Sequence, residues 1–237
     1  LISFYLIKLL MPKIIFLELN EVPNRVFLDS FKEKNFYKKN ISDFHFQPTI
    51  TNDKGHLSPW VTWPTIHKGV TDEKHKIEDI NVTNKEADQK YPSIWSTLIE
   101  NGFKVGVFGS FHSSMISTKD LYKYSFFVPD SFSDNYECKP RSINGLQKLN
   151  IIMSRRSARI VDSSFPKVSI LIQGIISYLR NAYKFRGLFC IFRQLLVEVF
   201  RPLTNVRRRT LQSDILFDIF MSCLQKEQPD FSTFFTN

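Results

Sequence analysis

An α/β fold on parallel strands is what this chain of 237 residues predicts, and three observations carry the prediction. PKIIFLELN and KVGVFG are short apolar runs with β-branched members, closed at once by polar or glycine residues, as buried strands are. Between them SIWSTLIEN has the period of a helix, with Ser93 at its start and Gly102 just past Asn101 at its end. A very short turn joins that helix to KVGVFG, and strand, helix, strand in this order builds a parallel sheet.

In chain order, Ile14, Ile15, Phe16, Leu17 and Leu19 form the first strand. Val22 to Phe36 is weakly helical, and NISDFHFQP alternates like a strand exposed on one face. SPWVTWPTIHKG is expected to start a short helix at Thr62, with Pro64 in the first turn, where a missing N–H costs nothing. Beyond about Ser142, apolar residues recur at helical spacing from Phe165 to Phe200, among them Ile172, Ile175, Ile176, Leu179 and Tyr183. Pro166 and Pro202 bound this run, and Gly174 and Gly187 are expected to break it into two or more helices. TLQSDILFDIFMSCLQKE is a strong amphipathic helix closed by Pro229, and PDFSTFFT reads as a third strand. The organisation expected is therefore an α/β core over 11–141, a basic helical insertion or cap over 142–206, and a returning helix and strand over 207–237.

Composition narrows the function classes. Hydrophobic residues at 43% and aromatics at 14% exclude a disordered chain. Cys138, Cys190 and Cys223 are widely spaced with no CxxC, which argues against a disulfide framework or a cysteine zinc site and for a reducing, cytoplasmic compartment. No run reaches the roughly 18 apolar residues of a spanning helix. LISFYLIKLL lacks a following cleavage site, so Met11 is taken as the natural start and the ten residues before it as upstream sequence. The net charge of +9 is uneven, because 151–212 holds twelve basic residues against Asp162 and Glu198. Interleaved with apolar residues, these cations are a solvated helix face, an attractor for an anionic substrate, or a peripheral membrane contact. Nucleic acid is not the expected partner, even for Arg207–Arg208–Arg209, because no aromatic-rich module accompanies them.

Ligands of open α/β sheets gather beyond the carboxyl ends of strands. Here those ends carry Glu18, Asn20 and Glu21, then Gly109 to His112. Thr62 at a helix start is either a cap or a nucleophile whose anionic partner sits on the helix dipole. Asn20 is a turn former or a metal ligand, and Glu18, on the same strand face by the two-residue period, is a ligand or the partner of a buried cation. His67 and His75 are read as surface or loop histidines with structural hydrogen bonds, and Trp60 and Trp63 as packing around the turn.

PKIIFLELNEVP, SPWVTWPTIHKGVTDEKH and SIWSTLIENGFKVGVFGSF, in this order over residues 13–110, resemble the alkaline phosphatase superfamily. The nearest branch is the type I phosphodiesterase/nucleotide pyrophosphatase group, with sulfatase-like relatives. The resemblance implies a three-layer α/β/α sandwich, here partial, and a metal-dependent hydrolase of phosphate or sulfate esters. Thr62–Trp63–Pro64 matches the nucleophile motif, Gly69 to His75 the turn after it, and Asn20 the first metal position, with Glu18 and Thr62 as accompanying ligands. Two divalent ions, zinc by preference, are implied as well. Two features depart from the pattern: Asn20 replaces an acidic ligand, and all five histidines precede residue 113, whereas family members add Asp and His ligands after the strand matching PDFSTFFTN. The chain is thus expected to be an N-terminal fragment that binds no metal unaided. The alternative is an inactive binding module of the same fold.

Overall fold

Four strands, β1 (Ile14–Leu19), β2 (Val105–Phe108), β3 (Phe126–Val128) and β4 (Phe231–Thr236), form one all-parallel sheet in the order β1–β4–β2–β3. The computed structural model describes residues 13–23, 25, 26, 29, 45, 47–79, 85–113, 117–157, 166–183, 188, 189, 192, 193, 196, 197 and 205–236. The principal helices are α1 (Pro59–Lys68), α2 (Asp72–His75), α3 (Lys85–Lys90), α4 (Ile94–Glu100), α5 (Asn144–Ser157), α6 (Val168–Asn181) and α7 (Asn205–Glu227). The class is mixed α/β, as the alternation of apolar runs and helical periods implies.

The last strand completes the middle of the sheet. β4 pairs with β1 on one side, Leu19 opposite Thr236, and with β2 on the other, Gly106 opposite Ser232. Its entry is fixed at Lys104, whose N–H donates to Asp230 Oδ2 at 2.8 Å and whose carbonyl accepts from the Asp230 N–H at 2.8 Å. β3 was not among the expected strands; it is only FFV, ended by Pro129, too short to show a period.

Side chains alternate along each strand, so the sheet feeds two separate cores. Val105, Val107, Phe127 and Phe231 pack with Trp95 of α4, and Phe16 joins them. Phe108, Phe126, Val128 and Phe234 pack on the other side with Ile219, Phe220 and Cys223 of α7, Leu146 of α5 and Tyr178 of α6. This second cluster is an aromatic lattice, with Phe220 and Phe234 ring centres 4.9 Å apart and Phe108 and Phe234 5.6 Å apart. Each such ring, once buried, is worth about 2–3 kcal/mol of transfer free energy. Burial pushes the Cys138 thiol well above its ordinary value and that of Cys223 up to about 12, so both are unreactive core groups. Cys190 lies outside the described residues.

Several expected elements change. Gly174 does not break a helix; it lies inside α6, where a Cβ would sit 2.7 Å from Leu149 Cδ2 of α5. A close helix crossing requires its missing side chain. The amphipathic helix before Pro229 begins earlier than its apolar period shows, at Asn205. Arg25, Val26 and Asp29 are helical within the weak Val22–Phe36 helix, most of which lies outside the described residues. Of NISDFHFQP only His45, Gln47 and Pro48 are described, and they have no regular structure. Residues 1–12 and Gly187 also lie outside the described residues.

Candidate functional site at the tip of the first strand

α1 opens three residues before Thr62. Ser58 takes the N-cap position in an extended conformation, Pro59 is the first helical residue, and Gly69 closes the helix in the left-handed region with φ 66°. The expectation that Thr62 opens this helix is therefore corrected: its own amide donates to the Ser58 carbonyl at 2.9 Å, which places it inside the helix and not at its cap. Two prolines competed for the first turn, and Pro59 takes it. Pro64 sits in the interior, where it denies Trp60 O the usual i+4 donor. His112 replaces that donor, its Nε2–H reaching Trp60 O at 3.0 Å.

Pro64 thus explains a histidine. His112 has φ 58° and lies just past β2, and burial lowers its pKa to about 4, the carbonyl of Trp60 opposing this only in part. A folded pKa below the unfolded value of about 6.5 means the unfolded chain binds the extra proton between those values. Stability is therefore expected to rise with pH from about 4 to about 6.5, by roughly 3 kcal/mol at most, and to be lost as pH falls through that window. Urea midpoints measured across it should slope upward in the native chain and flatten in His112→Gln; equal slopes would refute the assignment.

Trp63 and His67, one turn apart, face β1. The Trp63 indole N–H donates to Asn20 Oδ1 at 2.9 Å, and His67 Nε2 lies 3.2 Å from Glu18 Oε2. The other Glu18 oxygen accepts from Ser110 Oγ at 2.6 Å, and Ser110 lies 2.6 Å from Thr233 Oγ1. Since Ser110 gives its one proton to the carboxylate, Thr233 must donate to Ser110. A buried polar chain, His67–Glu18–Ser110–Thr233, so crosses β1, β4 and the end of β2, with every member at most 3% exposed. Its order is not that of a serine nucleophile and its base, because both Ser110 and His67 address the carboxylate. Glu18 partners a histidine and the Ser110 hydroxyl, not a Lys or Arg.

A second network locks the turn after α1. Thr65 Oγ1 lies 2.9 Å from both Asp53 oxygens and 2.9 Å from His75 Nε2. The Ile77 N–H donates to His75 Nδ1 at 3.0 Å, so Nε2 carries the proton and donates to Thr65, which donates to Asp53. Asp53 also accepts from the Asp72 amide and from Thr51 Oγ1. Burial lowers the His75 pKa, against the opposing charge of Asp53. His67 and His75 are indeed hydrogen-bonded structurally, but both are buried, not surface residues. Sequence inspection singled out neither Asp53 nor Thr65; the polar turn TNDKG was the local signal for Asp53.

Thr62 itself is half-buried, and its hydroxyl makes no hydrogen bond among the described residues. On an ideal helix it points about 100° round from Trp63. The structure brings Glu18 and Asn20 to α1, but by way of His67 and Trp63 rather than Thr62. Both Glu18 oxygens and Asn20 Oδ1 already have protein partners, and no cluster of three or more His, Cys, Asp or Glu suited to a metal occurs among the described residues.

Two cavities flank this region. One, of about 320 Å³, lies beyond the strand ends against Glu21, Trp60, Gly109, Phe132 and Thr236, with Gln147, Asn150 and Gln212 closing it from α5 and α7. Among the described residues Glu21 is the one ionisable group on its lining, and the amides are linked, Asn150 donating to Gln147 at 3.0 Å and Gln212 to Asn150. The other, of about 510 Å³, lies between α1 and α4 and is lined by His67 and His112 beside Lys68 and Lys123. Those lysines are paired, with Asp88 at 2.6 Å and Asp120 at 2.7 Å. No protein-family model, no curated protein and no solved structure matches the chain.

Proposed function

We propose that this chain is the nucleophile-bearing part of a phosphate-ester hydrolase on an alkaline phosphatase-like three-layer core, with Thr62 as the nucleophile. The observation that supports it best is the seating of α1 across the tip of β1 through Trp63–Asn20 and His67–Glu18, with the adjacent Thr62 hydroxyl left without an internal partner among the described residues. Helices on both faces of a parallel sheet are what such a core needs. β4 also ends beside β1, the Asn20 N–H donating to Thr236 O at 3.0 Å, so ligands supplied after β4 in a longer polypeptide would emerge next to Asn20.

The substrate class is an anionic phosphodiester or pyrophosphate, with sulfate esters as the related alternative. Thr62 Oγ1 gives its proton to solvent and attacks phosphorus, and the ester oxygen leaves with the bonding pair and takes up a proton. Water later cleaves the phosphothreonine to the product phosphate and the free hydroxyl. The two divalent ions implied by the resemblance would supply charge stabilisation, but Asn20, Glu18 and Thr62 do not fit them unaided, since Glu18 and Asn20 are already engaged. Further ligands are required. That same engagement favours a second reading, a binding module that kept the fold and lost the chemistry.

The test uses the full open reading frame containing this chain. With a chromogenic phosphodiester, Thr62→Ala is expected to lower turnover by on the order of 10³-fold or more; full activity in the variant removes Thr62 from the mechanism. Calorimetry with Zn²⁺ separates the two readings, because a binding module takes up no stoichiometric metal.

A further inference from the structure

α6 is inside out. Its buried side carries Gly174, Ser177, Tyr178 and Asn181, while Val168, Ile172, Ile175, Ile176 and Leu179 face solvent at 43–70% exposure. The polar side is held by the protein: Ser177 Oγ donates to Ser142 O at 2.6 Å, Ser142 Oγ to Asn181 Oδ1 at 2.7 Å, and Tyr178 to Asp218 at 2.8 Å. Gly174 lies on the same side, against Leu149. A rotation of the helix that buried the isoleucines would break all of these contacts, so the orientation is set by the core and the apolar stripe is left outward.

The stripe follows helical spacing over twelve residues, roughly 16–18 Å of one face. Exposed cations stand at its two ends, Lys167 and Arg180, and α6 carries no acidic residue. A second apolar set, Phe189, Phe192 and Leu196, is exposed in the following helical residues with Arg193 among them. The surrounding 151–212 segment has a net charge of +10. No helix among the described residues is long and apolar enough to cross a membrane. Apolar residues on one helix face with Lys and Arg beside them, too short to span, suit the boundary between anionic headgroups and acyl chains. A protein groove would accept the isoleucines but gives no reason for a cationic border without acids.

We infer that α6 docks this protein onto an anionic lipid surface, its Val168–Leu179 stripe entering the acyl boundary and Lys167 and Arg180 contacting headgroups. Vesicle sedimentation of the full chain tests it, with phosphatidylcholine alone against phosphatidylcholine containing phosphatidylserine. The native protein is expected to pellet with the anionic vesicles and to be released by salt. Lys167→Gln with Arg180→Gln should weaken that partition by about 25-fold, some fivefold per cation. Ile172→Glu with Ile176→Glu should abolish it, and since both residues are exposed the variant should keep the native circular dichroism. Equal sedimentation of the isoleucine variant, absence of binding to either vesicle, or salt-sensitive binding to RNA in place of vesicles would overturn the inference. So would a concentration-dependent dimer that the isoleucine substitutions dissolve, which would assign the stripe to a second copy of the chain.

Discussion

Replacing His67 with Leu is expected to destabilise the protein by roughly 3–5 kcal/mol, the cost of breaking a buried pair and leaving the Glu18 carboxyl group with one of its two partners. Glu18 is fully buried at the centre of the polar chain and has two partners, Ser110 at 2.6 Å and His67 at 3.2 Å. His67 is itself held between Trp63, stacked with ring centres 5.8 Å apart, and Trp95, tilted at 4.7 Å. Leucine fills much of the same volume, which separates the lost hydrogen bond from a cavity. Adding Glu18→Gln removes the charge but keeps an acceptor for Ser110, and should recover a large part of the loss. Urea unfolding of the two single variants and the double variant gives the coupling directly. A single-variant loss below about 1 kcal/mol would show that the Glu18–His67 contact contributes little.

Gly106→Val is expected to cost about 3 kcal/mol or more, by overpacking. In the β2–β3 register Gly106 lies directly opposite Phe126, whose ring covers the glycine, so that any Cβ there would collide with three ring atoms. Phe126 is fully buried and packed edge-on against Phe220 at 6.0 Å, so the ring cannot swing into solvent. The collision would pass to the aromatic cluster of Phe108, Phe220 and Phe234. Phe126→Leu in the same chain makes room and should restore part of the stability, as measured by thermal or urea midpoints. Wild-type stability in Gly106→Val alone would mean that the register of β3 is wrong.

What was legible in the sequence was local. β1, β2, β4 and α4 follow from apolar runs and helical periods, since each depends on neighbours one to four residues away. β3 was not, because three residues leave no period to detect. Pro64 and Gly174 were read by local rules that tertiary contacts override. His112 supplies the donor that makes an interior proline tolerable, and Leu149 needs the space that a glycine leaves. At the candidate site, Glu18 and Asn20 are legible as neighbours on one strand face, but their pairing with His67, Ser110 and Trp63 is not.

By itself the sequence determined the parallel α/β character, the apolar faces of its elements, and the concentration of positive charge over 151–212. Only the tertiary structure decided that β4 enters between β1 and β2, that Glu18 meets Ser110 across 92 residues of chain, and that α6 turns its isoleucines outward. The physical reason is one of range. Periodicity records which face of an element is apolar, through contacts within a turn or a pleat. Which neighbour that face meets, and whether it meets one at all, depends on packing and hydrogen bonds between segments far apart in the chain.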